Sequence, residues 1–259
     1  MVTVMKFYVV WKGRETGIFT DWNTCKKQIH KFKGASYKSF KTRSEAESAL
    51  SSDKKLTGSN TSKLPTAKPT SKKEVIKTYT AEDISLIDVN TKIYTDGGCV
   101  PNPGEAGSGL AVYRNESLSE LWYGLYNPKG TNNTAELNAL HQALLMARDE
   151  LSNGRTVAIF CDSQYSIQSI TQWAVKWSKN GWKKKAGEIK NLEIIKEMFT
   201  VHQSIKDDVE VMHVNGHIGL EGNELADRMT MFAIEQAETD FSSYRDELDI
   251  QQILSMRTG

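Results

Sequence analysis

The sequence predicts a substantial α/β domain behind a small basic α+β module. Three observations carry that expectation. From Ile93 to Asn127 the pattern reads as three strands in a meander, and a helical apolar stripe follows. Thr156–Cys161 is a nearly continuous apolar run that ends in Asp162, as a buried central strand of an open α/β sheet should. At the front, Lys6–Lys12, Gly17–Trp22 and Tyr37–Lys41 read as short strands, with helices at Thr24–Phe32 and Ser44–Leu50.

Of the 259 residues, 39% are hydrophobic and 25% charged, and the net charge of +1 hides an asymmetry. Residues 1–80 carry 17 Lys/Arg against 6 Asp/Glu, residues 81–233 carry 14 against 20, and residues 234–259 carry 2 against 6. A basic front joined to an acidic remainder suggests polyanion binding in front and cation binding behind; a solvated lysine-rich surface is the plainer alternative. Cys25, Cys99 and Cys161 form neither a disulfide framework nor a zinc pattern. The apolar opening is interrupted by Lys6 and is read as a strand rather than a signal peptide. No apolar run approaches a membrane span. The expected setting is reducing and cytoplasmic, without a membrane partner.

In the front module (residues 1–50) Asn23 and Ser44 are the expected helix caps, and Phe7, Phe19 and Phe32 the expected core. Tyr8, Trp22 and Tyr37 stand among Lys12, Arg14, Lys38 and Lys41. Such interleaving builds stacking surfaces for nucleic acid, although aromatics in so small a domain also serve as its core. Ser51–Lys77 is rich in Ser, Thr, Lys and Pro, so residues 51–90 are expected to be a flexible basic linker. A tether raises the effective concentration of whatever follows it.

The main domain is expected over residues 91–234. Lys92–Gly104 opens it as an alternating strand, with Asp96 at the strand end before a turn of Gly97, Gly98, Pro101, Pro103 and Gly104. Next come strands at Gly109–Arg114 and Leu121–Asn127, then a helix over Thr134–Glu150. Glu136 lies one turn before Leu140 on the apolar stripe of that helix. It is either a paired buried acid or the partner in a capping box begun at Asn133. Asp162 is either a site carboxylate or, with Ser163, a helix cap. Asp227 follows the glycine-spaced Gly216–Asn223 on a further helix, and a solvated surface acid is its plain reading. His217 lies in the loop before that helix.

In combination these motifs are more specific. Thr95-Asp-Gly-Gly, Thr131-Asn-Asn-Thr-Ala-Glu136, Cys161-Asp-Ser163 and the run from His213 to Asp227 resemble the type 1 ribonuclease H family over residues 90–234. Phe7–Trp22, with Asn23, Cys25 and Tyr37–Phe40, resembles the hybrid-binding domain found at the N-terminus of many of its members. The resemblance implies a ribonuclease H-like mixed five-stranded sheet flanked by helices, plus the small three-stranded module. It implies that Asp96, Glu136, Asp162 and Asp227 bind metal, with His217 the catalytic loop histidine. The cofactor expected is Mg²⁺, two ions per active site, with Mn²⁺ an alternative.

Phosphodiester hydrolysis needs an activated water and a stabilised leaving oxygen, and two divalent ions in a hard-oxygen cage supply both. The resemblance assigns Cys99, Asn102, Asn132 and Asn133 to a minor groove, where asparagine can donate to and accept from 2′-hydroxyls. Lys129, Thr131 and Asn191 match a pocket for a DNA-strand phosphate, with Lys129 a point charge where relatives often carry arginine or another residue. Tyr165, Trp173 and Trp177, followed by Lys179, Trp182 and Lys183–Lys185, resemble a basic protrusion that grips DNA; the two tryptophans at i, i+4 are also read as half core. In the front module Tyr8, Trp22, Tyr37 and Lys38 match duplex contacts, and Ser39 replaces a lysine common in the family.

The reading is therefore an endoribonuclease that hydrolyses the RNA strand of RNA/DNA hybrids, leaving 3′-hydroxyl and 5′-phosphate ends. It is expected to act as a monomer on a hybrid duplex. The alternatives are a non-catalytic hybrid- or double-stranded-RNA-binding protein and a metal-dependent DNA nuclease. Residues 235–259 are an acidic C-terminal extension in which Phe241, Tyr244, Leu248, Ile250, Ile253 and Leu254 are spaced for an amphipathic helix, either packed on the main domain or disordered.

Overall fold

In the computed structural model the chain falls into two units, Met1–Lys72 and Lys73–Gly259. Residues 7–29, 32, 36–40, 42–43, 46–47, 50, 76–184 and 187–259 are described. The helix expected at Ser44–Leu50 and most of the expected linker lie largely outside them, as do Lys41 and Lys185.

In the first unit β1 (Phe7–Lys12) lies between β2 (Gly17–Phe19) and β3 (Ser36–Phe40), antiparallel to both. Helix α1 (Trp22–Ile29) starts earlier than its expected cap allows. The Asp21 carboxylate accepts from the Thr24 N–H at 2.7 Å, so Asp21 takes the role expected of Asn23. Val9, Val10, Cys25 and Ala46 are fully buried, whereas Phe7, Phe19 and Phe32, the expected core, are half-buried. A three-stranded sheet this small encloses little volume, and the rings straddle its margin.

The second unit is a seven-stranded mixed sheet. Strands β5 (Thr91–Val100), β6 (Gly104–Arg114) and β7 (Ser117–Gly130) form the antiparallel meander. Strands β8 (Val157–Cys161) and β9 (Val209–Val214) run parallel to β5 on its other side. These are the five expected strands. Two short edge strands correct the count: β4 (Thr78–Tyr79) pairs parallel with β9, and β10 (Phe241–Ser243) antiparallel with β7.

Both additions redraw boundaries. The expected linker to residue 90 ends earlier, because β4 and helix α2 (Ala81–Ser85) belong to the sheet unit. Ile84 is buried, and Tyr79, Ile87 and Val89 pack around it. The acidic extension also folds against the unit. Phe241 stacks on Trp122 at 5.7 Å, Tyr244 meets Phe232 edge-on at 5.5 Å, and α8 (Ile250–Leu254) buries Ile253. The expected apolar spacing is therefore split between a strand and a short helix.

The remaining helices are α3 (Asn132–Ser152), α4 (Gln164–Gln168), α5 (Ala174–Lys179), α6 (Leu192–Ile205) and α7 (Glu221–Gln236). A π-helical turn at Ser169–Trp173 joins α4 to α5. Alternation along β5 and β8 sorts side chains between two cores. Ile93 and Ile159 pack with Leu140 and Leu144 of α3 and with Met198 of α6. Tyr94 and Phe160 pack with Leu225 and Met229 of α7. Burial on both faces is why β8 reads as an unbroken apolar run.

Glu150, near the end of α3, is buried but fully paired. It accepts from Thr91 Oγ1 at 2.9 Å, from Arg114 Nη2 at 2.8 Å and from Arg155. Burial opposes its charge, and the Arg114, Arg155 and Thr91 bonds outweigh burial, holding the carboxyl down at about 2. Above the ordinary value of 4.5 the whole contribution to stability is present. Between 4.5 and about 2 the unfolded chain takes up a proton that the native site refuses, and the contribution fades. Glu150→Gln is expected to lower the unfolding free energy at pH 7 by about 2–3 kcal/mol in urea titrations, with the gap to the parent closing over that pH window.

Candidate active site and nucleic-acid interface

Asp96 is not at a strand end. β5 continues through Gly97, Gly98 and Cys99 to Val100, with Asp96 opposite Gly109 and Gly97 opposite Ser108. The glycines are there for a close approach rather than a turn. A Cβ on Gly97 would lie 2.2 Å from the Glu136 backbone nitrogen, so the first turn of α3 sits directly on β5. That contact brings Glu136 to Asp96. On the other side of the sheet, a Cβ on Gly109 would meet the Ala226 carbonyl at 2.2 Å, which lets α7 carry Asp227 inward.

Glu136 is not the capping residue of α3. The box is formed by Thr131, whose side chain accepts from Thr134 N at 3.2 Å, and by Thr134, whose hydroxyl accepts from Thr131 N at 2.9 Å. Glu136 instead accepts a short hydrogen bond from the Ser163 hydroxyl. Ser163 is also the cap of α4, leaving Asp162 at the end of β8 free of that duty. Asp162 accepts from Asn223 Nδ2 at 3.3 Å, and its backbone carbonyl bonds His213 Nε2 at 3.1 Å. Asp227 is buried rather than solvated, at 2% exposure. Its carboxylate accepts from Arg228 Nη1 at 2.5 Å and from the Gly259 N–H at 3.0 Å.

Asp162, Asp227 and Glu136 are each close enough to Asp96 to perturb it. Burial pushes the Asp96 carboxyl well above its usual range, and the charges of Asp162, Asp227 and Glu136 push the same way, against a hydrogen bond from the Gly97 N–H. Burial pushes Glu136 up to about 7; Asp162 adds to this and the Ser163 bond opposes it. Burial also raises Asp162, against the Asn223 bond and the neighbouring His217 and His213. Such a cluster of hard oxygens favours a divalent cation, which relieves the repulsion that the protein alone only partly offsets.

The loop after β9 passes beside this cluster. A Cβ on Gly216 would stand 2.5 Å from Asp162 Oδ2. His217 follows, exposed and in the left-handed region at φ 53°. Ligand atoms of His217, Glu224 and Asp227 lie within 4.8 Å of one another.

Beside the carboxylates the turn after β5 meets the start of α3. Asn102 Oδ1 accepts from the Asn132 N–H at 3.3 Å, and the buried Asn132 side-chain oxygen has no hydrogen-bond partner among the described residues. The Cys99 thiol is 3.2 Å from the Pro101 carbonyl and 3.4 Å from that of Gly130, tying this turn to the end of β7. Asn133 and Lys129 are exposed, and Thr131 is committed to its cap. Asn191 precedes α6 and donates to the Tyr165 hydroxyl at 3.3 Å. Tyr165, Trp173 and Trp177 form a row with ring separations of 5.4 and 5.9 Å. Tyr165 and Trp177 also pack on the core, so this row is half structural, while Lys179, Lys183 and Lys184 are exposed. In the first unit Tyr8, Trp22 and Tyr37 form a second row at 5.4 and 5.8 Å, with Trp22 and Tyr37 exposed. Lys38 stands over the Phe40 ring instead.

Comparison with known proteins identifies the family. A family profile described as RNase H matches residues 88–235, more than half of the chain, and one described as Ribonuclease H1 N-terminal domain matches residues 6–50. The chain belongs to the ribonuclease H family. The chain is 32% identical to mouse Ribonuclease H1, covering 90% of each protein. It is 40% identical to an Acidovorax Ribonuclease H over 56% of this chain and 94% of that one. Among solved structures, LC9-RNase H1 superposes with a TM-score of 0.50 at 24% identity, over 64% of this chain and 85% of that one, which supports the fold. This ribonuclease H is thus a nuclease and a hydrolase whose two units correspond to two family domains.

Sequence reasoning missed Asn223, His213, Glu224 and Arg228. Asn223 and Arg228 carried one signal: both are polar residues among the apolar positions that pack α7 on the sheet. Gly97→Ala is expected to cost about 2–3 kcal/mol in chemical denaturation, because its Cβ must displace the first turn of α3.

Proposed function

We propose that this ribonuclease H hydrolyses the RNA strand of RNA/DNA hybrids at the four-carboxylate cluster. The convergence of Asp96, Glu136, Asp162 and Asp227, from four separate elements and at mutual electrostatic cost, carries the reading. A pure binder of polyanions has no use for four acids facing phosphate. The residues fit a divalent metal: they are all oxygen donors, and burial, joined by neighbouring carboxylates at Asp96 and Glu136, raises the proton affinity of Asp96, Glu136 and Asp162. Two Mg²⁺ ions, with Mn²⁺ an alternative, would supply an activated water and stabilise the leaving oxygen, giving 3′-hydroxyl and 5′-phosphate ends.

The chain's own residues divide the remaining work. Asp96, Glu136, Asp162 and Asp227 hold the cations. His217, exposed on its loop beside Asp162, is suited to moving a proton or helping product leave. Asn102, Asn132 and Asn133, with Cys99 behind them, offer donors and acceptors for ribose 2′-hydroxyls. Lys129, Thr131 and Asn191 would receive a DNA-strand phosphate. The rings of Tyr165, Trp173 and Trp177 would pack against that strand. Tyr8, Trp22, Tyr37 and Lys38 would bind the hybrid in the first unit. A monomer in a reducing cytoplasm suits three free cysteines, all buried.

The decisive experiment incubates labelled RNA/DNA, RNA/RNA and DNA/DNA duplexes with Mg²⁺. Cleavage confined to the RNA of the hybrid is expected. Asp162→Asn should lower the rate about a hundredfold or more while hybrid binding persists. Equal cleavage of DNA, or no magnesium-dependent cleavage of any duplex, overturns the reading; retained binding in the second case favours a non-catalytic hybrid binder. For the first unit, Trp22→Ala is expected to weaken hybrid affinity about tenfold and to shorten runs of successive cuts. An unchanged affinity and product-length distribution would leave Trp22 a structural residue.

A further inference from the structure

Arg228 is a permanently charged side chain at 7% exposure, placed directly after the buried acid of α7. Its guanidinium reaches Asp227 Oδ2 at 2.5 Å and Glu224 Oε2 at 3.4 Å. A further bond runs from Arg228 Nε to the carbonyl of Leu254, at 3.2 Å. Leu254 is the last residue of α8, which Ile253 anchors in the core beneath α7. The same C-terminal segment returns to the acid directly: the Gly259 N–H donates to Asp227 Oδ1 at 3.0 Å, and a Cβ on Gly259 would stand 2.6 Å from that oxygen.

Both oxygens of one carboxylate are therefore oriented by donors that depend on the C-terminal segment. Oδ2 is held by an arginine that Leu254 braces, and Oδ1 by the backbone of Gly259. A planar fork suits this duty, because it engages a carboxylate and a carbonyl at once along fixed directions. We propose that Arg228 is a positioning residue for Asp227, and that residues 250–259 brace it, so that this carboxylate is held ready for a divalent cation. This assigns residues 250–259 a task that their sequence did not disclose. The proposal rests on the reading of Asp227 as a cation ligand.

Arg228→Lys is the informative variant, because it keeps the positive charge and removes the fork. Any change in cation binding then reports lost orientation rather than a lost charge. The full chain is titrated with Mg²⁺ by calorimetry without nucleic acid, and hybrid cleavage is measured at saturating Mg²⁺. The expected result is Mg²⁺ affinity weakened about fivefold, a comparable fall in kcat, KM for hybrid within twofold, and little change in melting temperature. A chain ending at Met256, which keeps Leu254 and removes Gly259, should shift both readouts the same way by a smaller factor. Unchanged Mg²⁺ affinity and kcat in Arg228→Lys overturn the proposal. So does a loss confined to melting temperature, which would make Arg228 a plain structural ion pair. Failure of the parent chain itself to bind Mg²⁺ would instead overturn the reading of the carboxylate cluster.

Discussion

Repulsion among four carboxylates is the constraint on which the sheet unit depends. Asp96, Glu136, Asp162 and Asp227 come from a central strand, the first turn of one helix, the end of a parallel strand and the buried side of another helix. Burying these acids opposes folding, and the raised affinities of Asp96, Glu136 and Asp162 for protons express it, through lost solvation first and through neighbouring carboxylates at Asp96 and Glu136. Much of the local architecture answers it. Gly97 and Gly109 let two helices press on the sheet. Ser163, Asn223 and Arg228 each donate to one carboxylate, and the Thr230 hydroxyl donates to the Asp96 carbonyl at 3.0 Å. The acids are thus held by covering structure on both faces of the sheet and by donors to their carboxylates, two of them at Asp227.

How much of this was legible depended on whether a signal was periodic. The meander, α3 and β8 declared themselves through spacing that only a strand or a helix satisfies. The four acids were legible as an ordered set, although each alone had an ordinary explanation. Structure removes those explanations one at a time: Thr131 and Thr134 cap α3, Ser163 caps α4, and Asp227 is buried. What misled was punctuation. Gly97 and Gly98 read as the start of a turn, when glycine inside a strand here marks a helix arriving against the backbone. The edge strands β4 and β10 have two and three residues, too short for any alternation to register.

The supporting residues escaped for a different reason. Asn223, His213 and Arg228 act on acids far away in sequence or through a segment far away in sequence, so no local pattern contains them. The front module shows the same limit at smaller scale. Its aromatics were legible as candidates for either core or surface. Only the packing separates buried Val9, Val10 and Cys25 from the ring row of Tyr8, Trp22 and Tyr37.

Charge divides the chain into a basic front and an acidic remainder. Residues 1–80 carry an excess of 11 positive charges, and residues 81–233 an excess of 6 negative ones. On the proposed reading both face one polyanion, and they face it with opposite sign. The front attracts phosphate at all times, and that attraction weakens steeply with salt because it rests on counterion release. On that reading the carboxylate cluster would repel phosphate until divalent cations neutralise it, so the same ions that enable hydrolysis would also admit the substrate. Affinity and chemistry are then carried by separate groups under separate control, one by ionic strength and the other by divalent cation. A chain with a single basic site would bind hybrid more simply, but it would hold no group able to activate water.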